Sequence, residues 1–266
     1  MARLRLRRAR ATATVSPAAI AAPNDGHQLE MSLMEHLDEL RKRLTRAMLA
    51  LVVGVVIAFP LADPALSYLQ QPYGDRFQAL DPTSPIISYF RVALLLGAIL
   101  SIPLTTYQVM MFIVPGLTRR EKRIVFSALP AITGLFLLGA AFSWFLLIPP
   151  ALNFLQNFQT DNFVAQWTAD GYLGFITALI FWMGVAFETP LIFFILSLMG
   201  LIETRVMIHN WRIAIIGSAV AAAFITPTID PVNLFLVMGP LLTLYVFSIF
   251  LVAIGSRINR GRSVAA

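Results

Sequence analysis

YLGFITALIFWMGVAFETPLIFFILSL, residues 172–198, carries a single charged side chain, Glu188, followed by Thr189 and Pro190. The stretch is long enough to cross a bilayer, whose hydrocarbon core of about 30 Å takes about 20 helical residues. A charge at the centre of such a helix costs roughly 2.5–3.5 kcal/mol on insertion scales. Something must offset that cost, or the glutamate is protonated, or the segment is no membrane helix.

The composition of the whole chain favours the membrane. Of its 266 residues 58% are hydrophobic and 13% are charged, whereas a soluble domain carries about a quarter charged residues. The chain therefore reads as an all-α integral membrane protein with little room for a second, soluble domain. It has no cysteine, which excludes disulfides, thiol nucleophiles and thiolate metal sites. Its histidines, His27, His36 and His209, fall in polar segments, and neither a metal site nor a cofactor site is expected.

Apolar windows place six transmembrane helices at about 44–62, 91–114, 124–147, 172–198, 213–225 and 232–254. The last two are separated by TPTIDP, 226–231, whose prolines and aspartate end a helix. All Lys and Arg except Arg76 and Arg91 fall on one side of this arrangement; Asp63, Asp75, Asp81, Asp161, Asp170 and Asp230 populate the other. The positive-inside rule then puts both termini in the cytoplasm. That asymmetry explains the net charge of +6, and no nucleic-acid partner is expected.

Residues 1–30 are arginine-rich and acid-poor. They admit an organelle transit peptide or a disordered basic cytoplasmic extension, and their shortness and scarcity of serine favour the second. Residues 31–254 form the membrane domain and 255–266 a basic cytoplasmic tail. The fifth helix, 213–225, spans only about 20 Å at ~1.5 Å per residue, short of the hydrocarbon core. Either the mismatch is met by local bilayer thinning, snorkelling or packing in an assembly, or the window is drawn too narrowly.

Three glutamates on or near the inner side stand out. In MEHLDELRKRL, 34–44, Met34, Leu37, Leu40, Leu44 and Met48 recur at helical spacing, which predicts an amphipathic helix on the membrane surface. Glu39 lies four residues before Arg43, so an ordinary i,i+4 pair accounts for it. Glu121, in GLTRREKR, reads equally as part of a topogenic basic loop. Together, however, Glu39 and Glu121 place two carboxylates on the cytoplasmic surface, able to receive two guanidinium groups through bidentate bonds. Glu188 has the strongest claim to function, since an ionisable group within the membrane is functional by default; the competing reading is a neutral, hydrogen-bonded structural glutamate. Pro190 frees the carbonyl of Ala186 and predicts a kink and a polar pocket that Thr189 helps to hydrate.

Several separate stretches together resemble one family, TatC, the polytopic receptor of the twin-arginine protein translocase. They are HLDELRKRL at 36–44, PLTTYQVMMFIVPGLTRREKR at 103–123, FSWFLLIPPALNFL at 142–155, GVAFETP at 184–190 and AAFITPTID at 222–230. The resemblance covers residues 31–254, with Trp144 standing where a tyrosine is commoner. It implies a receptor for twin-arginine signal peptides that supports export of folded proteins driven by the protonmotive force, with short fifth and sixth helices. Glu39 and Glu121 would contact the two arginines; Arg41, Phe112 and Pro115 would belong to the same surface. Glu188, with Thr189, would meet a partner helix or the inserted signal peptide. Asp230 would lie where single-span TatA- and TatB-type partners dock, in an oligomeric complex in the bacterial cytoplasmic (inner) membrane rather than a thylakoid.

Rival functions find less in the chain. No histidine lies at membrane depth for a serine protease, and the sequence lacks HExxH and GxxxxGK[ST] motifs. A proton-coupled small-molecule transporter with Glu188 as its proton site is the remaining alternative. Against it, no repeat relates 44–147 to 172–254.

Overall fold

The structure is a computed structural model that describes residues 33–74, 77–113, 119–162, 166–228 and 230–263. Expectations for residues 1–30 lie outside the described residues, as does Pro115. The chain divides into two units, Met1–Asp38 and Glu39–Ala266; of the first, the described part is the opening of a helix. The second holds the membrane bundle.

Among the described residues every regular element is helical. In order they are α1 (Leu33–Ala58), α2 (Ala62–Gln70), α3 (Ser84–Ile113), α4 (Arg119–Phe142), α5 (Ile148–Asn157), α6 (Ala169–Leu198), α7 (Thr204–His209), α8 (Trp211–Ile225) and α9 (Pro231–Ser263). Among the described residues five stretches are long and apolar enough to cross a membrane: Leu37–Gln70, Ser84–Phe112, Leu129–Asn157, Ala169–Leu198 and Pro231–Ile258. The shorter apolar helix is α8, and six spans are consistent with this set.

Several expected boundaries move. The amphipathic segment at 34–44 is not a separate surface helix, since α1 runs unbroken from Leu33 to Ala58. A short 3-10 turn, Phe59–Leu61, then leads into α2. The third span does not end at residue 147. A wide π-type turn at Ser143–Leu147 carries it into α5, which opens with Pro149 and Pro150 in its first turn. Proline clashes with the carbonyl four residues back, and a π-type turn relaxes that hydrogen-bond register. The sixth helix is not short: α9 has 33 residues. Gly255, which follows the apolar run, does not end the helix, and it lies so close to Ser197 of α6 that a Cβ has no room. The fifth stays short at 15 residues, about 22 Å at ~1.5 Å per residue.

In lipid the hydrophobic effect does little between helices, so close van der Waals packing holds them together. The long α6 is the hub, packed most extensively on α9 and α4, with Leu173, Ile176, Leu179 and Met183 fully buried along it. Gly184 of α6 makes room for the buried Phe136 ring of α4, which a Cβ would approach to 2.6 Å. At the α1–α3 crossing, a Cβ on Gly54 would sit 2.5 Å from the Gly97 carbonyl oxygen. Backbone cannot yield there as a side chain can, so that crossing depends on glycine.

Where Arg91 and Asp170 lie, aromatic rings tie the loop before α3 to the start of α6. Tyr73 stacks on Phe77 and Trp167 at centroid distances of 5.4 and 5.9 Å. The Tyr172 hydroxyl donates to the Leu69 carbonyl at 3.0 Å. Trp144 stacks on Tyr68 and donates its indole N–H to the Tyr68 hydroxyl at 3.0 Å, so the tryptophan has a specific partner here.

Candidate functional site

Glu188 projects from the middle of α6 into an apolar cleft of about 500 Å3, walled by Leu44, Met48 and Leu51 of α1, Ser101 and Thr105 of α3, and Ile195 of α6 among others. Its Oε1 is buried and has no hydrogen-bond partner among the described residues. A buried acceptor left unmatched costs about 1–3 kcal/mol, so the geometry runs against a fully hydrogen-bonded structural glutamate. Helix α6 continues through Pro190 without interruption.

Thr189 does not join Glu188. One residue along a helix turns about 100°, and Thr189 lines a different pocket, of about 430 Å3, with Phe193, Met207, Ser218 and Tyr245. The expectation that Thr189 hydrates the Glu188 cleft is therefore corrected. A further cleft of about 680 Å3 shares Leu51, Ala98 and Phe181 with the Glu188 cleft and carries Arg91 and Asp170 on its lining. Arg91 Nη1 lies 2.8 Å from Asp170 Oδ1 and donates to the Asp170 carbonyl at 2.6 Å.

Toward the other end of α1, Arg43 Nη2 meets Glu39 Oε1 at 3.1 Å, and both side chains are largely buried, at 17% and 18% exposure. Arg43 Nη1 donates to Gln108 Oε1 of α3 at 3.4 Å. Glu39 Oε2 is buried with no hydrogen-bond partner among the described residues. The i,i+4 pair expected from spacing is present, yet it occupies only half of the carboxylate. Arg41 is exposed on α1, and Phe112 is half-buried near the end of α3. Glu121 falls in the first turn of α4, and its side chain lies outside the described residues.

Asp230 has a local task. Its Oδ1 accepts the Asn233 backbone N–H at 2.7 Å and its Oδ2 accepts the Asn233 side-chain amide at 2.9 Å, which caps α9 just ahead of Pro231 at its first position. Burial acts to raise the Asp230 carboxyl, but the hydrogen bonds that Asn233 donates outweigh it and hold the group below its ordinary value. A depressed carboxyl stabilises the fold above its unfolded pKa, about 3.9, and that contribution is lost as pH falls through the lower folded value. Asp230→Ala is expected to lower stability by about 1 kcal/mol at neutral pH. The deficit should shrink below about pH 4, as measured by thermal unfolding in detergent at a series of pH values. A deficit that does not change with pH would contradict the capping role.

Among the described residues no cluster of metal-ligating side chains occurs. The features above define a class: a multi-pass α-helical membrane protein with a lone carboxylate in an apolar intramembrane cleft and a half-paired carboxylate toward one end. The family model described as "Sec-independent protein translocase protein (TatC)" matches residues 35–240. The TatC protein of Synechocystis is 37% identical over 82% of this chain and 86% of its own length. The chloroplastic TATC protein of rice is 34% identical over 86% of this chain, which spans 64% of that protein's length. A crystal structure of the twin-arginine translocase receptor TatC superposes with a TM-score of 0.76 at 33% identity, covering 84% of this chain and 100% of that one. This chain belongs to the TatC family.

The sequence pointed to Glu39 and Glu188 but missed the Arg43–Gln108 contact and the Arg91–Asp170 pair. A basic residue opening an apolar window, as Arg91 does, was the one available signal. Gln108 carried none.

Proposed function

We propose that this chain is the receptor subunit of a twin-arginine protein translocase, a non-enzymatic component that binds twin-arginine signal peptides at its cytoplasmic face and supports protonmotive-force-driven export of folded proteins. The likeness to the solved receptor over most of both chains carries this reading. In it, Glu39 and Glu121 receive the two arginines, with Arg41, Phe112 and Pro115 on the same surface. Glu188 meets a polar group on an inserted helix, which supplies the hydrogen bond that Oε1 lacks. Thr189, from its own pocket, and the Asp230 turn meet partner helices, and the single-span TatA- and TatB-type subunits are those partners in an oligomeric complex.

The distribution of basic residues supports both termini in the cytoplasm, and a bacterial inner membrane suits that orientation. Residues 1–30 act as a basic extension, 31–254 as the membrane domain and 255–266 as the cytoplasmic tail.

The reading is tested in bacterial cells that lack their own TatC subunit, by expressing this chain with TatA- and TatB-type subunits and a folded reporter behind a twin-arginine signal. Export that stops when the two arginines become lysines is the expected result. A correctly inserted chain that exports nothing, or exports both reporters equally, would overturn it.

A further inference from the structure

We infer that Arg43 is an internal competitor for the Glu39 carboxylate, and that displacing it sets how strongly the receptor prefers arginine to lysine. The inference rests on the reading of Glu39 as a recognition carboxylate. A guanidinium binds a carboxylate best as a planar fork on both oxygens. Arg43 does not do this. One arm reaches Glu39 Oε1 at 3.1 Å while the other is drawn across to Gln108 on α3 at 3.4 Å. Glu39 Oε2 stays buried and unmatched among the described residues. A residue of the receptor itself thus fills only one of the two carboxylate oxygens.

An incoming arginine that takes both oxygens must move Arg43 off Oε1, and its second hydrogen bond offsets that loss. A lysine ammonium is a compact point charge without a planar fork. It gains less from displacing Arg43, and if it stops at Oε2 it sits beside a like charge. Competition therefore penalises lysine more than arginine. Gln108 sets the strength of the competitor, because an Arg43 freed from it can close its own fork on Glu39.

The test uses the full chain in detergent and two fluorescent synthetic signal peptides, identical except that adjacent arginines in one are lysines in the other. Arg43→Gln should bind the arginine peptide roughly fivefold tighter, the scale of a partly exposed ion pair. It should tighten the lysine peptide more, so that the preference for arginine narrows. Gln108→Ala should weaken both peptides, and adding Arg43→Gln to it should reverse that weakening. Reversal is the outcome that a purely structural role for Gln108 would not produce.

Unchanged or weaker binding by a folded Arg43→Gln chain, or a Gln108→Ala defect that Arg43→Gln does not reverse, would overturn the inference. Glu39→Gln separates this from the parent reading. If it weakens the arginine peptide while Arg43→Gln fails to tighten it, the competitor falls and the receptor site stands. If Glu39→Gln binds normally, the site itself is wrong and the competitor falls with it.

Discussion

Replacing Glu188 by leucine is expected to make the isolated chain more stable and to remove its transport activity. The carboxyl sits in an apolar cleft with a buried, unmatched oxygen, and an unsatisfied buried polar atom costs about 1–3 kcal/mol. Leucine removes that cost, so thermal unfolding in detergent should shift upward. Transport should fall by at least about tenfold, equivalent to about 1.4 kcal/mol, because no acceptor remains for a polar group on a partner helix. Binding of a twin-arginine peptide should stay within about twofold, since the expected effect on that site is under about 0.5 kcal/mol. Export measured alongside peptide binding separates these effects. A fully active leucine variant would return Glu188 to a structural role, and a less stable one would mean that its carboxyl has a partner after all. The combination expected, stability gained and function lost, is common where a site is held in a strained or unsatisfied state for its ligand.

The second large effect belongs to Glu39. Hydrogen bonds to charged groups contribute about 1.5–3 kcal/mol, so Glu39→Ala should weaken binding of a twin-arginine peptide by roughly tenfold to a hundredfold. Glu121→Ala should do the same if the two carboxylates divide the two arginines between them. Glu39 lies at the very start of the first span and Glu121 ahead of the third, and removing a charge does not lower the hydropathy of either, so membrane insertion should persist, as judged by the amount of chain recovered in the membrane fraction. Normal peptide binding by both variants would remove the recognition role. Loss in Glu39→Ala alone would leave one arginine without its assigned partner.

Five of the six expected spans were legible because each is a window of apolar residues that the bilayer's thickness selects, and α8 was legible as the shorter apolar helix among them. Helix ends were less so. The third window closes at 147, yet a wide π-type turn at Ser143–Leu147 carries the helix on into α5 through Pro149 and Pro150. The sixth span outran its apolar window because packing against α6, seen at Gly255 and Ser197, continues the helix where hydropathy gives no reason to. Of the site, Glu188 was readable as a charge in the wrong solvent. The fork of Arg43 was not: its second partner, Gln108, lies 65 residues away. Nor was the Arg91–Asp170 pair, 79 residues apart. Thr189 shows the remaining limit, since adjacency in sequence on a helix means separate faces in space.

The central claim is that this chain itself distinguishes arginine from lysine in a signal peptide. The most direct test is equilibrium binding of the purified, detergent-solubilised chain to a labelled twin-arginine peptide and to its twin-lysine counterpart, with Glu121→Ala as the control. Selective binding of the arginine form, weakened in that variant, is the predicted result. Equal affinity for the two peptides, or selectivity untouched by Glu121→Ala and Glu39→Ala alike, would contradict it.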